Sequence, residues 1–163
     1  MRTPDLSRRG LLMLTAASLA APTAALAADR YANSPWRKIS DAEWKKRLPP
    51  ESYDVLRHEG TEQAWTSPLL KEHRKGVFAC LGCGLPLFKS EWKFESGTGW
   101  PSFWTVLPGA VGTKTDHLLA FETRTEYHCA RCLGHQGHIF KDGPKPTGLR
   151  YCNDGVALKF VAA

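Results

Sequence analysis

The chain predicts an α+β fold: short N-terminal helices packed on a small antiparallel β core. Three features carry that expectation. Helix punctuation is confined to residues 40–60, short β-rich runs broken by glycine and proline fill the remainder, and two Cys-x-x-Cys knuckles each follow one of those runs.

Residues 1–27 read as an export signal. Ser7-Arg8-Arg9-Gly10-Leu11-Leu12 opens a short apolar run to Leu19, and Ala25-Leu26-Ala27 closes it. A positive start, an apolar stretch and a small-x-small exit make a secretory signal, and paired arginines before Leu-Leu match the twin-arginine type. The run is shorter than the roughly 20 residues a bilayer requires and Pro22 breaks it, so no stable membrane span is expected. Such an address implies a bacterial source and the periplasm as working compartment. Cleavage after Ala27 leaves residues 28–163, one ordinary domain. It also removes three positive charges and one negative, taking the net charge from +6 to +4. The remaining charges are scattered, without the dense basic stripe of a nucleic-acid face.

Residues 28–38 form an irregular leader ahead of a domain at 39–163. Ser40-Asp41-Ala42-Glu43 has capping-box form and starts a helix over 41–47. Pro49-Pro50 ends it, and Pro50 begins a second helix through His58, with Gly60 as its stop. Beyond Gly60 the period changes, and strands are predicted at 76–79, 85–88, 117–122, 125–129, 138–140, 149–152 and 156–161. In the last run Val156, Leu158 and Phe160 should share one face, with Ala157 and Lys159 pointing away.

The five cysteines fall into two classes. Cys80-Leu81-Gly82-Cys83 and Cys129-Ala130-Arg131-Cys132 can present four thiolates tetrahedrally to one structural zinc ion. Gly82 and Gly84 permit the tight turn required. An exported chain could use disulfides instead, or a knuckle could be a redox dithiol, although no βαβ pattern surrounds either one. Cys152 stands apart. A lone cysteine is commonly a small buried hydrophobe, but Arg150, two residues earlier on a strand, shares its face and would favour the thiolate. His135-Gln136-Gly137-His138 adds two imidazoles, read as acid–base partners or as further metal ligands. Ser96-Gly97-Thr98-Gly99-Trp100-Pro101-Ser102-Phe103-Trp104 reads as a glycine-hinged, aromatic-tipped binding wall, where so many aromatics would ordinarily mean core.

Taken in order, these blocks resemble the methionine-R-sulfoxide reductases, also called the SelR family. The resemblance rests on Gly60-Thr61-Glu62, Cys80 to Phe88, Ser96 to Trp104, Cys129 to Cys132, His135 to Phe140, Asp142-Gly143-Pro144, and Gly148 to Cys152, and spans about Ile39 to Val161. It implies two packed antiparallel sheets with helices at the N-terminal end, stapled by one zinc per chain on Cys80, Cys83, Cys129 and Cys132. It also implies that Cys152 attacks the sulfoxide sulfur and is left as a sulfenic acid. His135 and His138 would hold water or donate protons, Trp100 would cradle the methyl group with Phe103 and Thr98 beside it, Arg150 would activate the thiol, and Asp142 would support the histidine segment. Oxidised peptides and proteins would be the substrates of a monomer, and an external thiol such as a thioredoxin-like protein would be the reductant.

Two departures stand out. Thr98 occupies the position where many members carry a resolving cysteine. Asp154 stands where the family usually has asparagine; its carboxylate would oppose Arg150 in setting the thiol pKa, and a pairing with Arg150 is expected over protonation or a turn that points it elsewhere. The competing functional reading is a non-catalytic zinc-ribbon binding module.

Overall fold

The computed structural model describes residues 29–119 and 122–163; the expected export signal lies outside the described residues. Both expected helices form. In α1 (Asp41–Arg47) the Ser40 hydroxyl accepts the Glu43 N–H at 3.3 Å. In α2 (Pro50–His58) proline occupies the first turn, where its missing N–H costs nothing. The stop is Glu59 in the left-handed region (φ 59°), one residue before the expected Gly60. Gly60 is required for a different reason: a Cβ there would lie 2.1 Å from Asp54 Oδ2. Trp44, Leu48, Val55 and Leu56 turn inward, and Trp44 stacks on Trp36 of the leader, which forms a 3₁₀ turn at Pro35–Lys38. Arg37 ties that turn down by donating to the Ala130 carbonyl at 2.6 Å.

The β core is two antiparallel sheets. β1 (Gly76–Cys80), β2 (Pro86–Lys89) and β9 (Leu158–Ala162) form one, in the order β2-β1-β9. The other contains β3 (Lys93–Phe94), β4 (Ser102–Phe103), β5 (Val111–Leu119), β6 (Glu122–Cys129), β7 (His135–Phe140) and β8 (Arg150–Asn153), in the order β3-β4-β8-β7-β6-β5. This is the α+β architecture expected from the sequence. β3 and β4 are two residues long, too short to leave an alternating pattern, and went unpredicted. The strand expected over 117–122 begins earlier, at Val111, and its last part falls partly on residues outside those described.

Between the sheets Phe88 and Phe103 stack with centroids 4.1 Å apart, and Phe78 meets Phe103 edge-on at 5.0 Å. Full burial of each ring contributes about 1.5–3 kcal/mol. Phe103 is therefore core and not part of the binding wall predicted for it: β4 pairs with β8 and turns this ring into the gap between the sheets. The last run also differs from expectation. Residues Gly155–Ala157 form a 3₁₀ turn that buries Ala157, because its carbonyl accepts the Leu81 N–H of the first knuckle at 2.8 Å.

Candidate active site

Cys152 sits on β8, a central strand, so its surroundings are set by strand register. Across β7 it faces His138, and across β4 it faces Ser102. Directly opposed residues of an antiparallel pair have Cβ atoms about 4.5–5.5 Å apart, which brings an imidazole 14 residues away in sequence alongside the thiol. Gly137 makes the approach possible. It has φ 148°, and a Cβ there would lie 1.9 Å from the Cys152 carbonyl oxygen.

The thiol opens onto a half-open cavity whose wall includes His138, Asp154, Trp100, Phe140 and Arg124. Trp100 is held there by donating its indole N–H to the Glu62 carbonyl at 2.9 Å. Thr98 Oγ1 lies 4.0 Å from Sγ and continues a hydroxyl chain through Ser96 to Ser102, at 2.9 and 2.8 Å. His138 donates or accepts at Nε2 with Asp116 Oδ2, 2.8 Å away, and Arg124 donates to the same oxygen at 2.6 Å. Sequence reasoning named neither Asp116 nor Arg124; both come from distant strand positions with no motif to mark them.

His135 takes a place behind the wall. It is 3% exposed, with Nδ1 2.8 Å from Glu126 Oε1 and Nε2 3.8 Å from Asp154 Oδ2, its ring 5.4 Å from that of His138. Burial alone would raise the Glu126 carboxyl, but the imidazoles of His128 and His135 together hold it down to about 2. Burial also lowers His138 below the usual histidine value, against the pull of Asp116.

Two expected pairings are replaced. Arg150 forms a two-pronged ion pair with Asp142, 2.8 Å at each prong, and lies over the Phe140 ring. Asp142 therefore braces the arginine, not the histidine segment, and does not line the cavity. Asp154 follows the end of β8 and turns away from Arg150, accepting the Glu62 N–H at 2.8 Å. Burial pushes its carboxyl up to about 6. For Cys152 burial is again the largest influence and raises the thiol, the Arg150 charge pulling it down without prevailing. The activation expected from Arg150 acts in the predicted direction but is outweighed.

The other four cysteines gather elsewhere. Their sulfurs all lie within 4.8 Å of one another, with Cys80–Cys132 at 3.6 Å and Cys83–Cys129 at 3.5 Å. Zn–S bonds of about 2.3 Å in a tetrahedron require sulfur edges of about 3.8 Å, so the cage fits a tetrahedral, thiolate-loving metal. All four are buried, and Gln136 donates to Cys80 Sγ at 3.5 Å. The knuckles share one backbone turn, closed by Gly84 N–H to Cys80 O and Leu133 N–H to Cys129 O. The fifth residue is left-handed in both, Gly84 at φ 73° and Leu133 at φ 61°. The sequence pointed to Gly84 and missed its leucine counterpart. Neither His135 nor His138 belongs to the cage.

Two packed antiparallel sheets, a four-sulfur cage and a single cysteine in a cavity with an indole and an imidazole define a thiol-dependent oxidoreductase class. Residues 48–162 match the SelR domain, and the chain belongs to that family. It is 52% identical over 122 residues to the peptide methionine sulfoxide reductase MsrB of Leptospira interrogans, covering 74% of this chain and 92% of the relative. It is 54% identical over 123 residues to the MsrB of Leifsonia xyli, covering 74% and 88%. Against the chloroplastic peptide methionine sulfoxide reductase B1 of Arabidopsis thaliana it is 48% identical over 124 residues, covering 76% and 61%.

Proposed function

We propose that this chain reduces methionine-R-sulfoxide in peptides and proteins to methionine, with Cys152 as nucleophile. The observation that carries the reading is that Cys152, alone outside the sulfur cage, shares a cavity wall with Trp100 and His138. The raised thiol requires a base. His138, which faces Cys152 across the β7–β8 ladder, lines the same cavity and is kept neutral near pH 7 by burial, is the base assigned to the Sγ proton. The thiolate attacks the sulfoxide sulfur, and the same proton returns to the sulfoxide oxygen. The oxygen passes to Sγ as the thioether leaves, so one thiol and one sulfoxide become one sulfenic acid and one methionine. Trp100 offers an indole face to the methyl group, which supports selection of one epimer. Asp154 shares the wall, with His135 behind it as a positioning residue.

No second thiol lies beside Cys152; Thr98 supplies a hydroxyl there. The sulfenic acid is therefore reduced by an external thiol, of the kind a thioredoxin-like partner provides. Cys80, Cys83, Cys129 and Cys132 would hold one zinc ion, which clamps the β1–β2 connection of one sheet to the β6–β7 connection of the other and takes no part in turnover. The working unit is a monomer. The arginine pair and apolar run of residues 1–27 support export by the twin-arginine route to the periplasm, a route that suits a domain loaded with metal before export.

The test is the purified chain assayed separately on the two epimers of methionine sulfoxide, beside Cys152→Ser. Reduction of the R epimer alone, lost in a variant that keeps its metal and fold, is expected. Equal turnover of both epimers, or activity without Cys152, refutes the reading.

A further inference from the structure

Trp65 is the most exposed large apolar side chain among the described residues, 66% open to solvent, and its backbone is left-handed at φ 71°. That conformation costs an L-residue about 1–2 kcal/mol, and so exposed a ring recovers little of it by burial. The rest of the fold fixes the arrangement. The Trp65 N–H donates to the Gly99 carbonyl at 2.8 Å. A Cβ at Gly99, itself at φ 93°, would lie 2.9 Å from both Trp65 Nε1 and the Ala64 methyl group. The indole thus rests on a bare glycine backbone, between Thr98, whose hydroxyl faces Cys152, and Trp100, which lines the cavity. Both Leu133 and Trp65 take their positive φ from turns, Leu133 closing the second knuckle and Trp65 as third residue of a Gln63–Thr66 turn in which the Thr66 N–H donates to the Gln63 carbonyl at 3.4 Å; of the two, Trp65 is the one that rests on the Thr98–Trp100 loop.

We propose that Trp65 is a docking platform for the polypeptide flanking an oxidised methionine, and that it makes peptide-bound sulfoxide a better substrate than the free amino acid. The occupant follows from continuity with the catalytic cavity. That cavity has room for one side chain and is open on one side, so the backbone carrying the sulfoxide must run over its rim. At that rim a rigid indole offers a broad apolar face at low entropic cost, the kind of group that anchors peptide interfaces. The partner this fits is an extended, locally unfolded segment, whose backbone can pass from the indole over the Gly99 loop to the cavity mouth.

This inference rests on the reductase reading, and its test separates the two. Trp65→Asn removes the ring while keeping a residue that tolerates the left-handed backbone, and Trp65→Phe restores an aromatic face. Each is compared with the parent for kcat/KM on free methionine-R-sulfoxide and on a short unstructured peptide carrying one central methionine-R-sulfoxide, with dithiothreitol as reductant. The Asn variant should lose about tenfold on the peptide and stay within about twofold on the free amino acid, and Phe should recover most of the loss. Equal effects on both substrates, or none on either, overturn the platform while leaving the reductase reading intact. A parent chain inert toward both substrates overturns the two together.

Discussion

Replacing Asp154 by asparagine preserves its shape and removes its charge. An amide oxygen can still accept the Glu62 N–H that Oδ1 holds at 2.8 Å. Burial pushes the carboxyl up to about 6 in the folded chain, against about 3.9 when unfolded. A raised carboxyl stabilises the fold fully below the unfolded value, and that contribution is lost as pH climbs through about 6. A shift of about two units corresponds to about 3 kcal/mol. The variant should therefore match its parent below about pH 4 and exceed its stability by on the order of 2–3 kcal/mol above pH 7. Denaturant unfolding of both proteins at matched pH, between about pH 5 and 8, reads the difference, because metal effects common to both cancel. The gain should grow by about 1 kcal/mol across that window. The same change removes a negative charge two residues from Cys152. At about 7 Å and an effective dielectric of about 20–40, that charge is worth about 1–2 kcal/mol, so the thiol pKa should fall by about one unit. The pH dependence of Cys152 alkylation by iodoacetamide measures that fall. A stability gain independent of pH, with an unmoved alkylation midpoint, would refute the assignment of a buried, charge-opposed carboxylate.

Two further outcomes follow from the cysteine arrangement. After a single turnover without reductant, mass spectrometry should find Cys152 as a sulfenic acid trapped by dimedone; an intramolecular disulfide to Cys152 would contradict the external-reductant route. Removing metal with a chelator at neutral pH should unfold the β core cooperatively, with about one zinc released per chain, because metal binding at a four-thiolate site carries folding free energy. Retention of the fold and of R-sulfoxide reduction after complete metal loss would contradict the structural clamp.

The parts of this protein legible in its sequence are those whose physics is local. Ser40 caps α1 through a hydroxyl three residues from its donor, and Pro50 starts α2 by its own ring geometry. Each Cys-x-x-Cys turn closes within five residues, so spacing alone marked Cys80, Cys83, Cys129 and Cys132 as a set distinct from Cys152. What only the tertiary structure decided depends on strands distant in sequence. Register across β7 and β8 set His138 against Cys152, and the sheet interface drew Phe103 into the core while leaving Trp100 at the cavity. Partner choice was decided the same way: Arg150 took Asp142, and Asp154 took the Glu62 N–H from 92 residues away. Charge and burial at such positions depend on what the fold packs against them, and the thiol's raised pKa, against the pull of Arg150, is the clearest instance.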